Sequence, residues 1–225
     1  MRNKGIQRAA KGGNMPRAPY KNREVTTRLI LDAAASLIRE NGLKKFRVNH
    51  VAKRAGRSKR MIYDYFGNID GLLLAVLKES DYWLESGDHA QSIIASHQAD
   101  QGKELAALSL KNHFKRFASD PLLQEVGIQE ISSSTDFLTK LSAEREKQAK
   151  ILFDLSAEHF KNTDVYFKAV EALLIGGINY IILHGKVNGS TFYGIDINHP
   201  DHKAKISKTL EQITKWAYEN AKKNE

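Results

Sequence analysis

The stretch VNHVAKRAGRSKRMIYDYF, residues 48–66, sets two short amphipathic segments on either side of a glycine. Val51, Ala52 and Ala55 give the first an apolar inner face. Gly56 breaks it, and Ser58 is placed to cap a second helix that runs to about Phe66. Two helices joined by a tight glycine turn form a helix-turn-helix. Its second helix must be short, open on one side and held from behind if it is to enter a major groove. At about 100° per residue from Lys59, Ile62 and Phe66 fall on the inner side. Arg60 and Asp64 then point outward, Met61 and Tyr65 lie on one flank, and Tyr63 lies on the other.

Side-chain chemistry suggests roles for the outer groups. Arg60 carries a planar fork that fits guanine O6 and N7. Asp64 either accepts from cytosine N4 or pairs with Arg60 four residues back and orients it, the second role being preferred. Ser58, Lys59, Tyr63 and Tyr65 suit phosphate contacts, which position a protein on DNA without specifying sequence. Three positions have a plainer alternative. Tyr65 packs in the core with a wet hydroxyl, Met61 fills a gap instead of touching a thymine methyl, or Arg57 is solvated surface.

Charge supports a polyanion partner for the N-terminal third. Residues 1–78 hold 18 Lys and Arg against 5 Asp and Glu, whereas the remainder holds 17 against 21. The chain has no cysteine, hence no disulfide framework and no zinc–thiolate site, in keeping with a reducing cytosol. Its basic N-terminus has no apolar stretch behind it, unlike a secretory signal. The longest apolar run, VEALLIGGINYIIL at 170–183, includes Glu171 and Asn179 and is too short and polar for a bilayer.

Helical periodicity continues along the chain, with no convincing strand pair. Residues 1–22 read as a flexible basic tail. A first helix is expected from Val25, with Thr26 or Thr27 as cap, a stripe of Val25, Leu29, Ile30, Ala33, Ala34, Leu37 and Ile38, and a stop at Asn41-Gly42. After the turn at 67–70, a connector helix is expected from Ile69 to about His97, including Trp83 and Leu84. Further helices are expected over Leu105–Ala118, from Pro121, over Ser134–Phe160, over Val165–His184, and from about Lys203 to Lys222. The segment STFYGIDI has no evident strand partner. The fold class is all-α with about nine helices: an N-terminal helix-turn-helix domain at 23–68, then a connector helix and larger body at 69–225.

The segment TTRLILDAAASLIRENGLKKFRVNHVAKRAGRSKRMIYDYFGNIDGLLLAVL, residues 26–77, resembles the DNA-binding domain of the TetR family of transcription regulators. The resemblance rests on Ile-Leu-Asp-Ala-Ala at 30–34, Asn41-Gly42, Val51-Ala52, Ala55-Gly56, Ser58-Lys59, Tyr63, Phe66 and Leu72-Leu73. It implies three N-terminal helices, a connector helix and a larger helical domain for ligand binding and dimerisation. The family usually has Ser or Thr where Arg47 stands, an apolar residue at Arg57, Gly at Arg60, Thr at Met61, an aromatic at Asp64 and His at Tyr65. It usually has Pro at Gly67 and Lys at Ile69. Arg47, Arg57 and Arg60 are therefore expected to replace the phosphate contact of the missing lysine.

In the C-terminal body, Gly176 and Gly177 stand amid bulky residues, with Tyr180 one turn on. They suggest a homodimer seam between this helix and the last one, or an ordinary buried helix within one subunit. A dimer would place two reading heads ~34 Å apart on a near-palindromic operator. Phe114, Phe117, Phe137, Phe153 and Tyr180 are candidate pocket-lining residues for a small-molecule effector, each with core packing as its alternative. His199 and His202 stand three apart without a third metal ligand, so no metal or cofactor is expected. His113, His159 and His184 are scattered.

No glycine-rich phosphate loop, nucleophile elbow or cysteine is present to suggest an enzyme. The expected function is a cytoplasmic, sequence-specific DNA-binding regulator, most often a repressor in this family, relieved by an unknown small molecule. The alternative is an architectural DNA-binding protein without an effector.

Overall fold

A computed structural model describes residues 19–80 and 90–223. The described residues are all-α, with no strand beyond two isolated bridges. Helix α1 spans Pro19–Asn41, and a 3-10 turn covers Leu43–Lys45. Then come α2 (Val48–Ala55), α3 (Lys59–Phe66) and α4 (Ile69–Ser80). The body comprises α5 (Ala90–His97), α6 (Lys103–Ser119), α7 (Pro121–Ser132), α8 (Asp136–Phe160), α9 (Phe167–Asn188) and α10 (Pro200–Asn220).

Ten α-helices are thus described, against about nine expected. The described parts of the expected connector are α4 and α5; residues 81–89 between them lie outside the described residues. Trp83, Leu84 and residues 1–18 of the expected tail lie outside the described residues.

Helix α1 begins at Pro19, six residues before the expected start at Val25. Proline suits the first helical turn because its missing N–H would have no intrahelical partner there. Thr26 is consequently not a cap but a buried interior residue. The expected stripe also shifts at its beginning. Val25 and Leu29 are exposed, whereas Ile30, Leu31, Ala33, Ala34, Leu37 and Ile38 are buried. Val25 and Leu29 lie on the open side of these turns, whose Arg28 pairs with Glu79 of α4 at 3.1 Å.

Around α1 pack α2 and α4, and α3 seats on α2 and α4. Ile30, Ile38, Val51, Ile62, Leu72 and Leu77 close their core. That core runs without a break into the body through α7, which touches α1. Arg39 of α1 lies 3.6 Å from the Asp120 carboxylate, which also accepts the Leu122 N–H at 2.9 Å and so caps α7.

In the body, α10 packs along α6, and α9 lies against α6 and α7. Thr135 caps α8 by accepting from Leu138 N–H at 3.2 Å. His199 caps α10 by accepting from Asp201 N–H at 3.3 Å, and His202 Nδ1 accepts from Asp196 N–H at 2.9 Å. His199 thus serves the helix start, and His202 holds the loop before it. The segment 191–197 pairs with itself. Phe192 and Ile195 exchange backbone hydrogen bonds across Tyr193 and Gly194, both at positive φ, the conformation of a type I′ turn.

Candidate nucleic-acid interface and ligand chamber

The turn between α2 and α3 is built by local hydrogen bonds. Gly56 adopts the left-handed conformation (φ 61°, ψ 36°), and Arg57 N–H reaches back to Ala52 C=O at 3.0 Å. Ser58 Oγ then accepts from Met61 N–H at 3.2 Å, satisfying a donor in the first turn of α3. Ile62 is 0% exposed and anchors α3 from behind.

The opposite face is open. Ser58, Lys59, Arg60, Tyr63 and Asp64 are exposed. Arg60 Nε lies 3.7 Å from Asp64 Oδ2, with 89% of the Arg60 side chain exposed. That separation fits the orienting role for Asp64. An ion pair this exposed contributes little to stability. Arg47 donates to its neighbour Phe46 C=O at 2.8 Å, and it shares an open hollow with Asn49, His50, Tyr63 and Ile69. Asn49 and His50 are additions to the residues expected at this surface. Their only sequence signal is their position at the start of α2, beside Arg47.

Three flanking positions differ in setting. Tyr65 is half-buried against the core, and the Arg23 guanidinium lies 5.1 Å from its ring centre. Its ring is therefore packed between Arg23 and the core. Met61 is half-buried on the same flank. Arg57 is half-buried and donates to Gly56 C=O at 3.0 Å.

Arg54, the cation just before this turn, is engaged elsewhere. Its guanidinium donates to both Glu40 oxygens at 2.7 Å and to Ser36 Oγ at 2.7 Å, tying α2 to α1. Hydrogen bonds from Arg54, then Ser36, hold the Glu40 carboxyl below its usual range.

Two hollows stand out among the described residues of the body. One is a chamber of about 330 Å³ among α6, α7, α8 and α9. Leu152, Phe153 and Ile175 give it apolar walls, and Glu171 gives it a carboxyl that is only 4% exposed. Burial pushes Glu171 up to about 8. The other is an outer groove of about 400 Å³ between α9 and α10, lined by Leu173, Gly177, Ile181 and Ile206 among others.

The structure does not gather the five candidate pocket aromatics. Phe153 lines the chamber, and Phe114 lines the outer groove. Phe117 is buried against Gly127, and Phe137 is half-buried against the core. Tyr180 is 55% exposed and sits beside Phe192. Aromatic type alone does not separate wall from filler. Glu171, a lone acid in an apolar run, marks the cavity better.

His113 does line the chamber, with Nε2 donating to Asn179 Oδ1 at 2.7 Å. His159 bridges Gln101 and the Tyr218 carbonyl, and His184 contacts Ser190. Gly176 is exposed and Gly177 half-buried. A Cβ on either would meet nothing within 4 Å, so no described helix of the same chain occupies that approach.

A capped, outward-facing helix joined by a glycine turn to the helix before it, on a larger helical body, is a helix-turn-helix arrangement. Residues 30–76 match the model for bacterial regulatory proteins, tetR family. The match covers the helix-turn-helix segment of the chain. The fatty acid metabolism regulator protein of Bacillus subtilis (strain 168) is 32% identical over 106 residues, 47% of this chain and 52% of that protein. The chain thus spans about half the length of the curated relative it matches.

Two solved structures share the fold. The fatty acid degradation regulator FadR from Bacillus halodurans aligns over 83% of this chain and 96% of its own, with 21% identity and a TM-score of 0.59. The transcriptional regulator FadR from Bacillus subtilis in complex with stearoyl-CoA aligns over 85% and 97%, with 21% identity and a TM-score of 0.58.

Proposed function

We propose that the chain is a cytoplasmic transcriptional repressor. As a homodimer it binds a near-palindromic DNA operator, and a small-molecule effector releases it. Residues 23–68 are the reading head and 69–225 the effector-binding and dimerisation body. The observation that carries this reading is α3, with Ile62 fully buried behind and Ser58, Lys59, Arg60 and Tyr63 exposed in front. Arg60 reads a base edge, oriented by Asp64. Ser58, Lys59, Tyr63 and Arg47 hold phosphates. Arg57 and Met61 lie at the margin of this surface.

Leu173 (76% exposed) and Tyr180 on α9, with Gly176 and Gly177 between them, form the subunit seam together with α10. Among the described residues, α9 alone has the length and apolarity of a membrane span. Its buried Glu171 and its hydrogen-bonded Asn179 suit a chamber wall, and its exposed apolar face suits a second subunit.

The effector enters the chamber, and a long-chain acyl thioester is the class we assign, in line with the named roles of the fatty-acid regulators. Binding there displaces α7. The Arg39–Asp120 contact carries the movement to α1, and the population shifts to a spacing of reading heads that no longer fits two half-sites. The protein carries no catalytic role in this scheme. A built chamber favours an effector-responsive regulator over an architectural protein.

The test is footprinting on DNA from the chromosome that carries the gene, at low salt, with and without stearoyl-CoA. Discrete paired half-site footprints that fade with the thioester support the proposal. Absence of DNA binding, or protection spread evenly along the duplex, overturns it.

A further inference from the structure

Three buried side-chain atoms among the described residues have no hydrogen-bond partner, and one of them belongs to Glu171, which lines the chamber. Helix α9 places Glu171 in the chamber wall with Oε1 unmatched. Several other polar groups of that wall have visible partners. Arg145 donates to both Glu130 oxygens, at 2.6 and 2.7 Å, and His113 donates to Asn179. Lys168 lies at the mouth with Nζ 5.4 Å from the Phe153 ring centre. A buried polar atom that faces a cavity without a partner is where a ligand's polar atom belongs.

Charge decides which polar atom. The titratable groups around Glu171 are His113 from α6, Glu130 from α7, Arg145 and Glu146 from α8, and Lys168 on α9 itself. Tyr218 of α10 is also close. Its hydroxyl is pushed up by burial, then by Glu171, then by Asp100. Among the described residues no cation pairs with Glu171, and burial raises its pKa to about 8. At neutral pH it is mostly the neutral acid, which has one O–H to donate. The matching ligand brings an acceptor oxygen and an apolar body.

We propose that Glu171 is the effector-recognition residue, donating as a neutral acid to the carbonyl oxygen of a long-chain acyl thioester whose chain lies against Leu152, Phe153 and Ile175. The assignment rests on the acyl-thioester reading above and adds the residue and protonation state that would select that carbonyl.

The experiment is calorimetric titration of the full chain with stearoyl-CoA and with S-octadecyl-CoA, the thioether that lacks the carbonyl, between pH 6.5 and 9. Wild type is expected to prefer the thioester by about tenfold at pH 6.5. The preference is expected to shrink as pH rises through 8, because the ionised carboxylate no longer donates. Glu171→Gln, which keeps an N–H donor, retains the preference at every pH. Glu171→Leu loses it, with the thioester and the thioether binding alike.

A preference that persists in Glu171→Leu overturns the inference. So does a wild-type preference that is flat or rising with pH, a result that needs no variant to fold. Binding that Glu171 does not influence overturns the inference alone. Failure of wild type to bind stearoyl-CoA overturns the acyl-thioester reading, and the inference with it.

Discussion

Arg60 and Lys59 are neighbours with different work to do. Arg60 projects from the outer face of α3 with Asp64 at 3.7 Å, whereas Lys59 begins the helix beside the Ser58 cap. A planar fork near a carboxylate that limits its rotation suits base reading, and a flexible ammonium suits a phosphate. Arg60→Ala is therefore expected to cost about 1–3 kcal/mol on the operator and much less on a scrambled duplex. Lys59→Ala is expected to weaken both duplexes alike and to reduce the salt slope by about one unit. Fluorescence anisotropy across a salt series distinguishes the two; equal effects of Arg60→Ala on both duplexes would remove its reading role.

At the scale of elements, α3 depends on how it is turned and how it is seated. Gly56 turns it. A Cβ there meets nothing within 4 Å, so Gly56→Ala costs only the left-handed backbone, about 1–2 kcal/mol. Ile62 seats it, and Ile62→Ala leaves a cavity in a fully buried position, at a cost of about 2–5 kcal/mol. Denaturant unfolding of both variants checks the order. A larger loss for Gly56→Ala would mean that the turn has less room than its surroundings show. Gly127 and Gly185 behave differently. A Cβ at Gly127 would lie 2.8 Å from Phe117 Cζ, and one at Gly185 would overlap Ile197 Cγ2. These glycines permit close packing inside the subunit, whereas Gly176 and Gly177 open outward.

The whole molecule depends on α9, which faces a chamber on one side and the exterior on the other. A Cβ at Gly177 meets no described atom of its own chain within 4 Å, and Gly177→Leu replaces glycine with a better helix former. It is expected to leave the subunit folded while breaking the proposed dimer, read by sedimentation equilibrium. An unchanged dimer would place the seam elsewhere.

The inner side of α9 gives a pH prediction. Glu171 titrates at about 8 in the folded chain against an ordinary 4.5, so the folded state holds a proton that the unfolded state releases between those values. Its contribution to stability is fully present below about 4.5 and is lost as pH rises towards 8. Relative to Glu171→Gln, wild type should lose roughly a few kcal/mol between pH 5 and 8.5. Parallel stability–pH curves for the two proteins would refute it.

The local signals of residues 41–66 are legible in the amino-acid order alone. Gly42, Gly56, Ser58 and Ile62 act within one or two helical turns, and their spacing suffices to place the turn, cap and anchor of the reading helix. The sequence by itself thus determined the all-α class and the exposed row Ser58, Lys59, Arg60 and Tyr63. Only the tertiary structure decided which same-type side chains meet a neighbour. It buried Leu31 and left Val25 and Leu29 open, packed Tyr65 beneath Arg23, tied Arg54 to Glu40, scattered the five pocket aromatics and enclosed Glu171. The physical reason is range: a cap or left-handed turn is satisfied by atoms a few residues away, whereas burial depends on helices that approach from distant parts of the chain.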